Sequence, residues 1–311
     1  MAQIKEKPLL SICIPIYNRL SYLERMLERF YEEKELFDSK IELFISDNCS
    51  EDDLQSCCNR FSEMGLRLNY HRNDTNLGMD GNFINCFKYA NGKYVLLLGS
   101  DDIPQKESLK TICELLSQNY DYGLLHLSGE SSNKSGSLVE CDNSNSLFEE
   151  LNIWLTFISE NIVKTEYVKD IDFDKYRGSL ISQVPLYLHA LLSSSKNAVY
   201  YANVFDEDND SKNNGGYNLF QVFVENFLTI CKEYVDKGFL SNKSFERGKK
   251  LAFENWLVGF IDIFLIKKQF KTNKQMDFSN SWSIILRHYG KYPYMYITLL
   301  KCVIKGLLKR N

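Results

Sequence analysis

The chain has 311 residues, of which 44% are hydrophobic and 14% aromatic, enough to bury one large core or two unequal ones. Its formal net charge of -4 argues against nucleic acid as a partner, and its nine cysteines, an odd count without a C-x-x-C pair, support neither a disulfide framework nor a zinc site. The lack of an apolar leader and of any run of about 20 apolar residues predicts a cytoplasmic protein with reduced thiols.

Apolar patterns divide the first 127 residues into alternating strands and helices. Strands are predicted at 9–14, 41–46, 66–71, 94–98 and 122–127, with a helix after each of the first four. A Ser21-x-x-Glu24 capping box is predicted to open the first helix, and Ser50-x-x-Asp53 the second. Strands that alternate with helices indicate the α/β class, with a mainly parallel, doubly wound sheet.

The pattern changes after residue 127. Residues 128–146 are rich in Ser, Asn and Gly and predict a loop. A helical pattern begins at Leu219 and continues to the end of the chain. We therefore expect an α/β part followed by a helical C-terminal region.

The fourth predicted strand runs directly into two adjacent carboxylates, Asp101 and Asp102. Ligands of open α/β sheets bind at the carboxyl ends of the strands, and paired carboxylates suit a hard divalent cation that bridges to phosphate oxygens. The alternative is a helix N-cap with Pro104 in the first turn. Neither a G-x-G-x-x-G motif nor a phosphate loop ending in Gly-Lys-Ser/Thr is present.

Four segments of this chain, in the order in which the family has them, resemble family-2 glycosyltransferases of the GT-A fold. They are Pro15-Ile16-Tyr17-Asn18-Arg19, Ser46 to Asp52, Asn76-Leu77-Gly78, and Gly92 to Asp102. Residues 77–83 resemble the abequosyltransferase-like branch that builds bacterial O-antigen and capsular polysaccharide. The resemblance implies a GT-A domain over 1–235, with a nucleotide-sugar half at 8–127 and an acceptor half at 128–235. Residues 236–311 would form the helical region.

The resemblance also implies a nucleotide-sugar donor, with a UDP-sugar expected. The residues that match the donor-binding positions are Pro15, Tyr17, Asn18, Arg19, Asp47, Asn76, Gly78, Asn82, Ser100 and Asp101. Arg19 has an alternative as a surface cation. Asp47 has an alternative in the local turn, with Ser50 capping the following helix.

The metal motif departs from the family pattern Asp-x-Asp-Asp, because Gly99 replaces the first Asp. The resemblance implies that Asp101 and Asp102 hold Mg2+ or Mn2+, and that Asp102 assists catalysis or approaches the sugar. Water can take the place of the missing carboxylate in the coordination of the ion. Because the protein then supplies fewer ligands, we expect weak metal affinity.

An inverting transferase needs a general base, usually Asp or Glu, to accept the proton of the acceptor hydroxyl. Gln183 stands where the family has this carboxylate, and a Gln side chain cannot act as a base. Glu160 follows an apolar run that the family places beside the acceptor, and it is the first candidate. His189 is the second, with a hydrogen-bonded core residue as the alternative.

The segment from Phe278 to the end contains no acidic residue, while basic side chains alternate with aromatic and aliphatic ones. This pattern is typical of a segment that binds an anionic membrane surface, here the inner face of the cell membrane. The alternative is a cationic helix packed on the acidic body of the protein.

Together with these features, the resemblance implies a metal-assisted, inverting glycosyltransferase that acts on a hydroxyl of a lipid-linked oligosaccharide in surface polysaccharide synthesis. One alternative is a sugar-1-phosphate nucleotidyltransferase, but that class usually has a Gly-rich basic loop after the first strand, and residues 15–19 contain no Gly. Another alternative is a non-catalytic sugar-binding or assembly subunit, indicated by Gly99 and Gln183.

Overall fold

A computed structural model describes residues 7–118, 121–129, 134–207, 216–266 and 277–308. The chain divides into two compact units. The first unit comprises Met1–Ser144 and Phe157–Asn209, and the second comprises Asn145–Thr156 and Asp210–Asn311. This division lies upstream of the boundary at residue 235 that the sequence predicts.

The first unit is built on a mixed sheet with eight strands. The strands of this unit are β1 (Leu10–Ile16), β2 (Ile41–Asp47), β3 (Asn69–Arg72), β4 (Tyr94–Leu97), β5 (Asp102–Pro104), β6 (Leu124–Ser128), β7 (Ser137–Cys141), β8 (Asn161–Lys164), β9 (Asn197–Tyr201) and β10 (Phe205–Glu207). The sheet order is β3-β2-β1-β4-β8-β6-β9-β7, and β5 pairs with β10 in a separate ribbon.

Most of this sheet is parallel. β1 lies parallel to β2 and β4, β2 to β3, and β6 to β9, whereas β8 runs antiparallel between β4 and β6, and β7 antiparallel to β9. Parallel strands need crossover helices, which the first unit supplies as α1 (Leu20–Tyr31), α2 (Lys34–Ser39), α3 (Leu54–Glu63), α4 (Gly78–Tyr89) and α5 (Ser108–Ser117). The mainly parallel α/β fold predicted from the sequence is confirmed.

Helices dominate the second unit. α6 (Ser144–Leu151) starts at the boundary residue and lies mostly in this unit, whereas α7 (Val184–Ser193) belongs to the first unit. The other helices of the second unit are α8 (Phe227–Asp236), α9 (Asn242–Ala252), α10 (Val258–Phe260), α11 (Ser281–Tyr289) and α12 (Pro293–Leu308). π-helical turns lie at Gln221–Asn226, Phe253–Leu257 and Ile261–Ile266, and 3-10 turns at Asn152–Thr156, Thr165–Asp170 and Phe173–Tyr176. Within the described ranges, no helix combines the length and apolar character that crossing a membrane requires.

Both faces of the central strands are buried. Leu10, Ile12, Cys13 and Ile14 of β1 are fully inaccessible to solvent. A strand that is apolar on both faces must be covered by helices on both sides, as parallel sheets generally are. The core therefore surrounds β1, and the polar ends of the strands are left to form a site.

The predicted helix starts are wrong at two positions. Ser21 lies inside α1, and the backbone N–H of Leu20 instead donates to Asp52 Oδ2 at 3.0 Å. α3 is capped by Asp53, whose side chain accepts from Ser56 N, and not by Ser50. A capping partner 32 residues away in the chain cannot be seen in a local sequence pattern.

The predicted loop at 128–146 is wrong in part. β7 occupies Ser137–Cys141 and α6 begins at Ser144, while residues 130–133 lie outside the described residues. Tyr122 donates to Glu140 on this edge strand at 2.7 Å. An edge strand has one unpaired side that faces solvent, so it can carry polar residues. The strand therefore could not be distinguished by its sequence from the surrounding Ser, Asn and Gly.

Candidate active site

The carboxyl ends of β1, β2 and β4 bring three polar segments together. Ile16 at the end of β1 pairs with Asp47 at the end of β2. Asn48 N donates to Ile16 O at 2.9 Å, and Leu98 N donates to Cys13 O at 2.9 Å, so the three chain segments leave the sheet side by side. Open α/β sheets bind ligands at this edge.

The loops after β1 and β2 are fastened to each other. Asn18 N donates to Ser50 Oγ at 2.9 Å, and Glu51 N donates to Asn18 Oδ1 at 2.7 Å. Asn18 has a φ of 50°, in the left-handed region that Asn tolerates better than most residues. Asn18 therefore shapes the loop that carries Tyr17 and Arg19. The Tyr17 side chain is 43% exposed and Pro15 lies on β1 opposite Ser46.

Asp47 is fully buried at the end of β2. Its Oδ1 accepts from Ser50 N at 2.8 Å, and its Oδ2 accepts from Tyr70 Oη at 2.6 Å and from Arg72 Nη1 at 2.9 Å. Burial, together with the hydrogen bond to Asp47, raises the pKa of Tyr70, which keeps the phenol protonated as a donor. These contacts give Asp47 a positioning role, and its contact with a nucleotide stays a prediction.

Asparagine side chains hold the turn between β3 and α4. Asn82 is buried, accepts from Ser46 Oγ at 2.6 Å and donates to Ser46 O at 2.9 Å. Asn48 Nδ2 donates to Asn76 Oδ1 at 2.8 Å and to Gly78 O at 3.1 Å. The network fixes Asn76 and Gly78 at the start of α4, beside the end of β2. Gly78 has a φ of 71°, which favours glycine at this position.

Arg19 and Ser100 meet beside the acidic pair. Arg19 Nη1 donates to Ser100 Oγ at 3.1 Å and lies 3.4 Å from Asp101 Oδ1. The side chains of Arg19 and Asp101 are 20% and 24% exposed, so Arg19 is a partly buried cation at the site and not a surface charge. The predicted donor residues Arg19, Ser100 and Asp101 thus come together in the structure.

The carboxylates of Asp101 and Asp102 converge over Gly99. A Cβ atom at residue 99 would lie 2.7 Å from Asp102 Oδ2, 3.2 Å from Asp101 Oδ1 and 3.4 Å from Ser159 Oγ. Ser159 donates its hydroxyl to Asp102 Oδ2 and accepts from Gly99 N at 2.9 Å. The N-cap alternative is wrong, because Asp102 begins a strand and the next helix, α5, begins only at Ser108. Over the described part of the chain there is no group of three or more His, Cys, Asp or Glu side chains placed to hold a metal, so the acidic pair supplies two carboxylates.

A cleft of about 260 Å³ lies beside the acidic pair. Its walls are formed by Asp102, Leu127, Gly129, Phe157, Ile158, Ser159, Glu160, Ala202, Asn203, Val204 and Phe205. The cleft contains both Asp102 and Glu160, two residues predicted separately from the sequence. A wider depression of about 900 Å³ lies at the opposite, amino-terminal end of the strands, where α/β sheets do not usually bind their ligands.

Glu160 immediately precedes β8. Its side chain is 33% exposed, and its Oε2 is buried 3.9 Å from Nε2 of His126. Leu127 N donates to Glu160 O at 2.7 Å, which fixes the backbone of Glu160 against β6. Glu160 is therefore a partly buried carboxylate on a rigid support that faces the cleft.

His189 lies elsewhere in the first unit. Its Nε2 is 3.5 Å from Asp170 Oδ2, its Nδ1 is 3.4 Å from Ser193 Oγ, and its ring packs edge-on against Tyr167. These neighbours do not belong to the cleft lining. The contacts favour the alternative in which His189 is a hydrogen-bonded structural residue.

Gln183 ends a loop that Asp80 holds in place. Asp80 is buried, and its carboxylate accepts from the backbone N–H groups of Gly178 at 2.8 Å, Leu180 at 2.9 Å and Ser182 at 3.1 Å. Leu180 has a φ of 61°, an uncommon value for a branched apolar residue. The carboxylate of Asp80 thus stabilises a strained loop just before α7.

Ser159 and His126 were not predicted as site residues. Ser159 had one available signal, since it directly precedes the proposed base. His126 had none, because a single His in the apolar run Leu124–Leu127 resembles any buried strand residue. Both residues reach the site through contacts between distant parts of the chain.

Known proteins resemble this chain in sequence and in fold. Residues 11–150 match the model of Glycosyl transferase family 2. Abequosyltransferase RfbV from Salmonella typhimurium strain LT2 is 39% identical over 114 residues, which are 36% of this chain and 34% of that protein. The match therefore spans about a third of the length of that relative.

Solved structures extend the similarity in fold. The crystal structure of S. aureus TarS 1-349 has a TM-score of 0.65 at 16% identity and covers 90% of this chain and 81% of that one. The complex of the same protein with UDP-GlcNAc has a TM-score of 0.60 at 16% identity and covers 95% of this chain and 80% of that one. The mannosyltransferase PcManGT from Pyrobaculum calidifontis, solved with GDP-Man and Mn2+, has a TM-score of 0.55 at 14% identity, with coverage of 98% and 88%.

Proposed function

We propose that this chain, which carries a family-2 glycosyltransferase domain of the GT-A fold, transfers one sugar from a nucleotide-diphosphate sugar to a carbohydrate hydroxyl. The observation that carries the proposal is that Asp102 and Glu160 line the same cleft. One residue belongs to the acidic pair after β4, and the other is a carboxylate that lines the same cleft. Glycosyl transfer needs a site for the leaving group and a base within hydrogen-bond reach of the acceptor hydroxyl.

The nucleotide is proposed to bind across the ends of β1 and β2. Tyr17 is exposed there, and the loop that carries it is held by Asn18 and Ser50. Arg19 would provide positive charge for the diphosphate while remaining within reach of Ser100 and Asp101. UDP is the first donor base to test, since TarS was solved with UDP-GlcNAc, and GDP is the second, since PcManGT was solved with GDP-Man.

A divalent cation, Mg2+ or Mn2+, fits the acidic pair. Two carboxylates point at the space above Gly99, and carboxylate oxygens are the ligands that these hard cations prefer. Asp101 and Asp102 would hold the ion, and diphosphate oxygens and water would complete its coordination. When bound, the cation supplies Lewis-acid stabilisation of the departing diphosphate. Among the described residues, no third His, Cys, Asp or Glu side chain joins this pair as a ligand, so the free ion should bind weakly.

Glu160 is proposed as the general base of an inverting reaction. Its Oε1 would take the proton of the acceptor hydroxyl as the acceptor oxygen bonds to the anomeric carbon. The bond between the sugar and the diphosphate breaks at the same time, and the nucleoside diphosphate leaves. Asp102, which lines the same cleft, would orient the sugar. His189 is not assigned a chemical role, because its neighbours lie outside this cleft.

The acceptor is proposed to be a lipid-linked oligosaccharide at the inner face of the cell membrane, within the synthesis of a bacterial surface polysaccharide such as O-antigen. Support comes from RfbV and from the exposed face of α12. Tyr296, Ile297, Leu300 and Ile304 on this helix are 54%, 53%, 60% and 46% exposed. Exposed Lys291 and Lys301 lie in the same segment, and basic side chains beside apolar ones fit an anionic lipid surface. The opposite side of the helix is buried at Met295, which is 2% exposed, and Tyr292, just before the helix, donates to Glu246 at 2.5 Å.

One experiment tests the enzymatic proposal directly. Purified protein would be mixed with a panel of UDP-, GDP- and CDP-sugars, with and without Mn2+, and nucleoside diphosphate release would be measured with and without a bacterial lipid extract as acceptor source. Release of one nucleotide that depends on the extract is the expected result. Thermal stabilisation by a nucleotide without any release would favour the non-catalytic binding subunit. Formation of pyrophosphate from a sugar-1-phosphate and a nucleoside triphosphate would favour the nucleotidyltransferase.

A further inference from the structure

His126 is a buried polar residue that the proposed mechanism does not yet use. It lies on β6 between Leu125 and Leu127, and it is 2% exposed. Burying an imidazole costs free energy unless both of its nitrogens have polar neighbours. The surroundings of the two nitrogens therefore show what the residue does.

Asn161 fixes the orientation of the His126 ring. His126 and Asn161 are partners in the antiparallel pairing of β6 with β8, so their side chains lie on the same face of the sheet. Asn161 Nδ2 donates to Phe157 O at 2.8 Å, which leaves its Oδ1 as an acceptor 3.0 Å from His126 Nδ1. Nδ1 therefore carries a hydrogen, and this contact fixes the ring so that Nε2 points away from Asn161.

That direction is toward Glu160. His126 Nε2 lies 3.9 Å from Glu160 Oε2, beyond hydrogen-bond length and within ion-pair distance. Oε2 is the buried oxygen of the carboxylate, so Oε1 is left to face the cleft. The imidazole thus stands behind the carboxylate, on the side away from the substrate.

We propose that His126, carrying a hydrogen on both ring nitrogens, is a positioning residue for Glu160: its Nδ1–H faces Asn161 and its Nε2–H attracts Oε2 from behind, so that Oε1 points at the acceptor hydroxyl. This inference rests on the proposed function, because it takes Glu160 as the base. Asn161 completes the arrangement by keeping Nε2 directed at the carboxylate. His126 does not touch the substrate, and the proton of the acceptor goes to Glu160.

Two substitutions separate this role from a structural one. In His126→Gln the side-chain amide can occupy the position of Nε2, so contact with Glu160 is kept while the contact with Asn161 is lost. In His126→Asn the amide can occupy the position of Nδ1, so the Asn161 contact is kept and the Glu160 contact is lost. A misplaced base reduces turnover while leaving donor binding intact, and displacements of about 1 Å cost up to about a hundredfold.

The test measures kcat, KM for the donor and melting temperature of the full chain, using the donor that the wild type turns over. His126→Asn should lower kcat about tenfold or more with an unchanged donor KM, and His126→Gln should retain a larger kcat although it loses the cross-strand contact. His71→Asn, which changes a histidine of β3 packed against Phe44 and Tyr89, is the matched control and should keep kcat within about twofold. The reverse order, with His126→Asn the more active variant, would overturn the inference in favour of a structural role.

A double substitution shows whether His126 acts through Glu160. In a Glu160→Gln background, His126→Asn should reduce kcat by less than about twofold, because the group it positions is already lost. Independent, multiplicative losses would contradict the inference while leaving Glu160 as the base. If the wild type turns over no donor in the panel, the proposed function itself fails, and this inference fails with it.

Discussion

Ser159 donates its hydroxyl hydrogen to the carboxylate of Asp102, and its oxygen accepts the backbone N–H of Gly99 at 2.9 Å. Two turns that are distant in the chain are joined by this one side chain. Since Glu160 is the next residue, the same short segment orients the second aspartate of the acidic pair and carries the proposed base. Adjacent residues of one segment therefore hold one of these carboxylates and carry the other.

Replacing Ser159 tests this connection. Ser159→Ala leaves Asp102 without its hydroxyl donor and Gly99 N–H without its acceptor, and we expect a loss of about 1–3 kcal/mol in stability. Nucleotide release should fall about tenfold, because Asp102 is no longer held. Ser159→Thr keeps the hydroxyl and is the matched control. An Ala variant with wild-type turnover would show that the hydrogen bond does not matter to the reaction.

The space above Gly99 is the second target. A methyl group at this residue would lie 2.7 Å from Asp102 Oδ2, so Gly99→Ala should push the carboxylates apart and weaken Mn2+-dependent nucleotide binding without unfolding the chain. Isothermal titration with the nucleoside diphosphate, with and without Mn2+, measures the effect. Gly259→Ala is the control, because a Cβ atom at that residue meets nothing within 4 Å. Equal metal-dependent binding by the Gly99 variant and the wild type would argue against a cation at this position.

Asp101→Asn removes one charge from the acidic pair with almost no change in volume. We expect transfer to be abolished and metal-dependent nucleotide binding to be reduced, while the melting temperature stays near that of the wild type. Asp38→Asn removes the same charge from an exposed residue at the opposite end of the sheet and should have no effect. An Asp101→Asn protein that unfolds yet retains full activity per folded molecule would contradict the metal assignment.

Glu160→Gln should lower turnover about a hundredfold or more with little change in donor affinity, as expected when a proton acceptor is lost. His189→Ala serves as the comparison, and we expect it to reduce thermal stability more than turnover because of its contacts with Asp170 and Tyr167. Single-turnover kinetics with saturating donor separates the two effects. Normal turnover of Glu160→Gln, together with inactive but stable His189→Ala, would move the base to His189.

The exposed face of α12 predicts binding to anionic membranes. Substituting Ile297 and Leu300 together by Ser should release the protein from phosphatidylglycerol vesicles and leave nucleotide binding unchanged. Added salt should also weaken vesicle binding of the wild type, because charges are screened beyond about 8 Å at physiological ionic strength. Met64→Ser, which removes an apolar side chain with 44% exposure from the first unit, is the control for general loss of surface hydrophobicity. Wild-type protein that ignores these vesicles at low salt would refute the membrane proposal.

These substitutions avoid a difficulty that truncation would create. A deletion that began at Tyr292 would remove the hydrogen bond to Glu246 and the packing of Tyr294 against Phe253, whose ring centroids are 5.8 Å apart. Met295 would be lost from the core as well. Loss of vesicle binding after such a deletion would therefore not distinguish a membrane contact from damage to the fold.

Much of the fold and half of the candidate site follow from local sequence patterns. The five predicted strands overlap β1, β2, β3, β4 and β6, because runs such as Leu10–Ile16 and Tyr94–Leu97 are apolar on both faces and can exist only inside a covered sheet. Asp101 and Asp102 were identifiable for the same reason: a buried strand ends directly before them. Strand periodicity and the polar residues that interrupt it are properties of neighbouring residues, so they can be recognised in the chain itself.

What only the tertiary structure decided is which side chains share a partner. Asp52 caps α1 from 32 residues away, Ser159 reaches Asp102 across 57, and His126 meets Asn161 across 35. Each contact is made by a polar side chain of ordinary type, so its sequence neighbourhood carries no mark of the partner. Hydrogen bonds of this kind depend on positions and directions in space. The sheet order sets these positions and directions, because it places β8 between β4 and β6 and so brings Glu160 to the acidic pair.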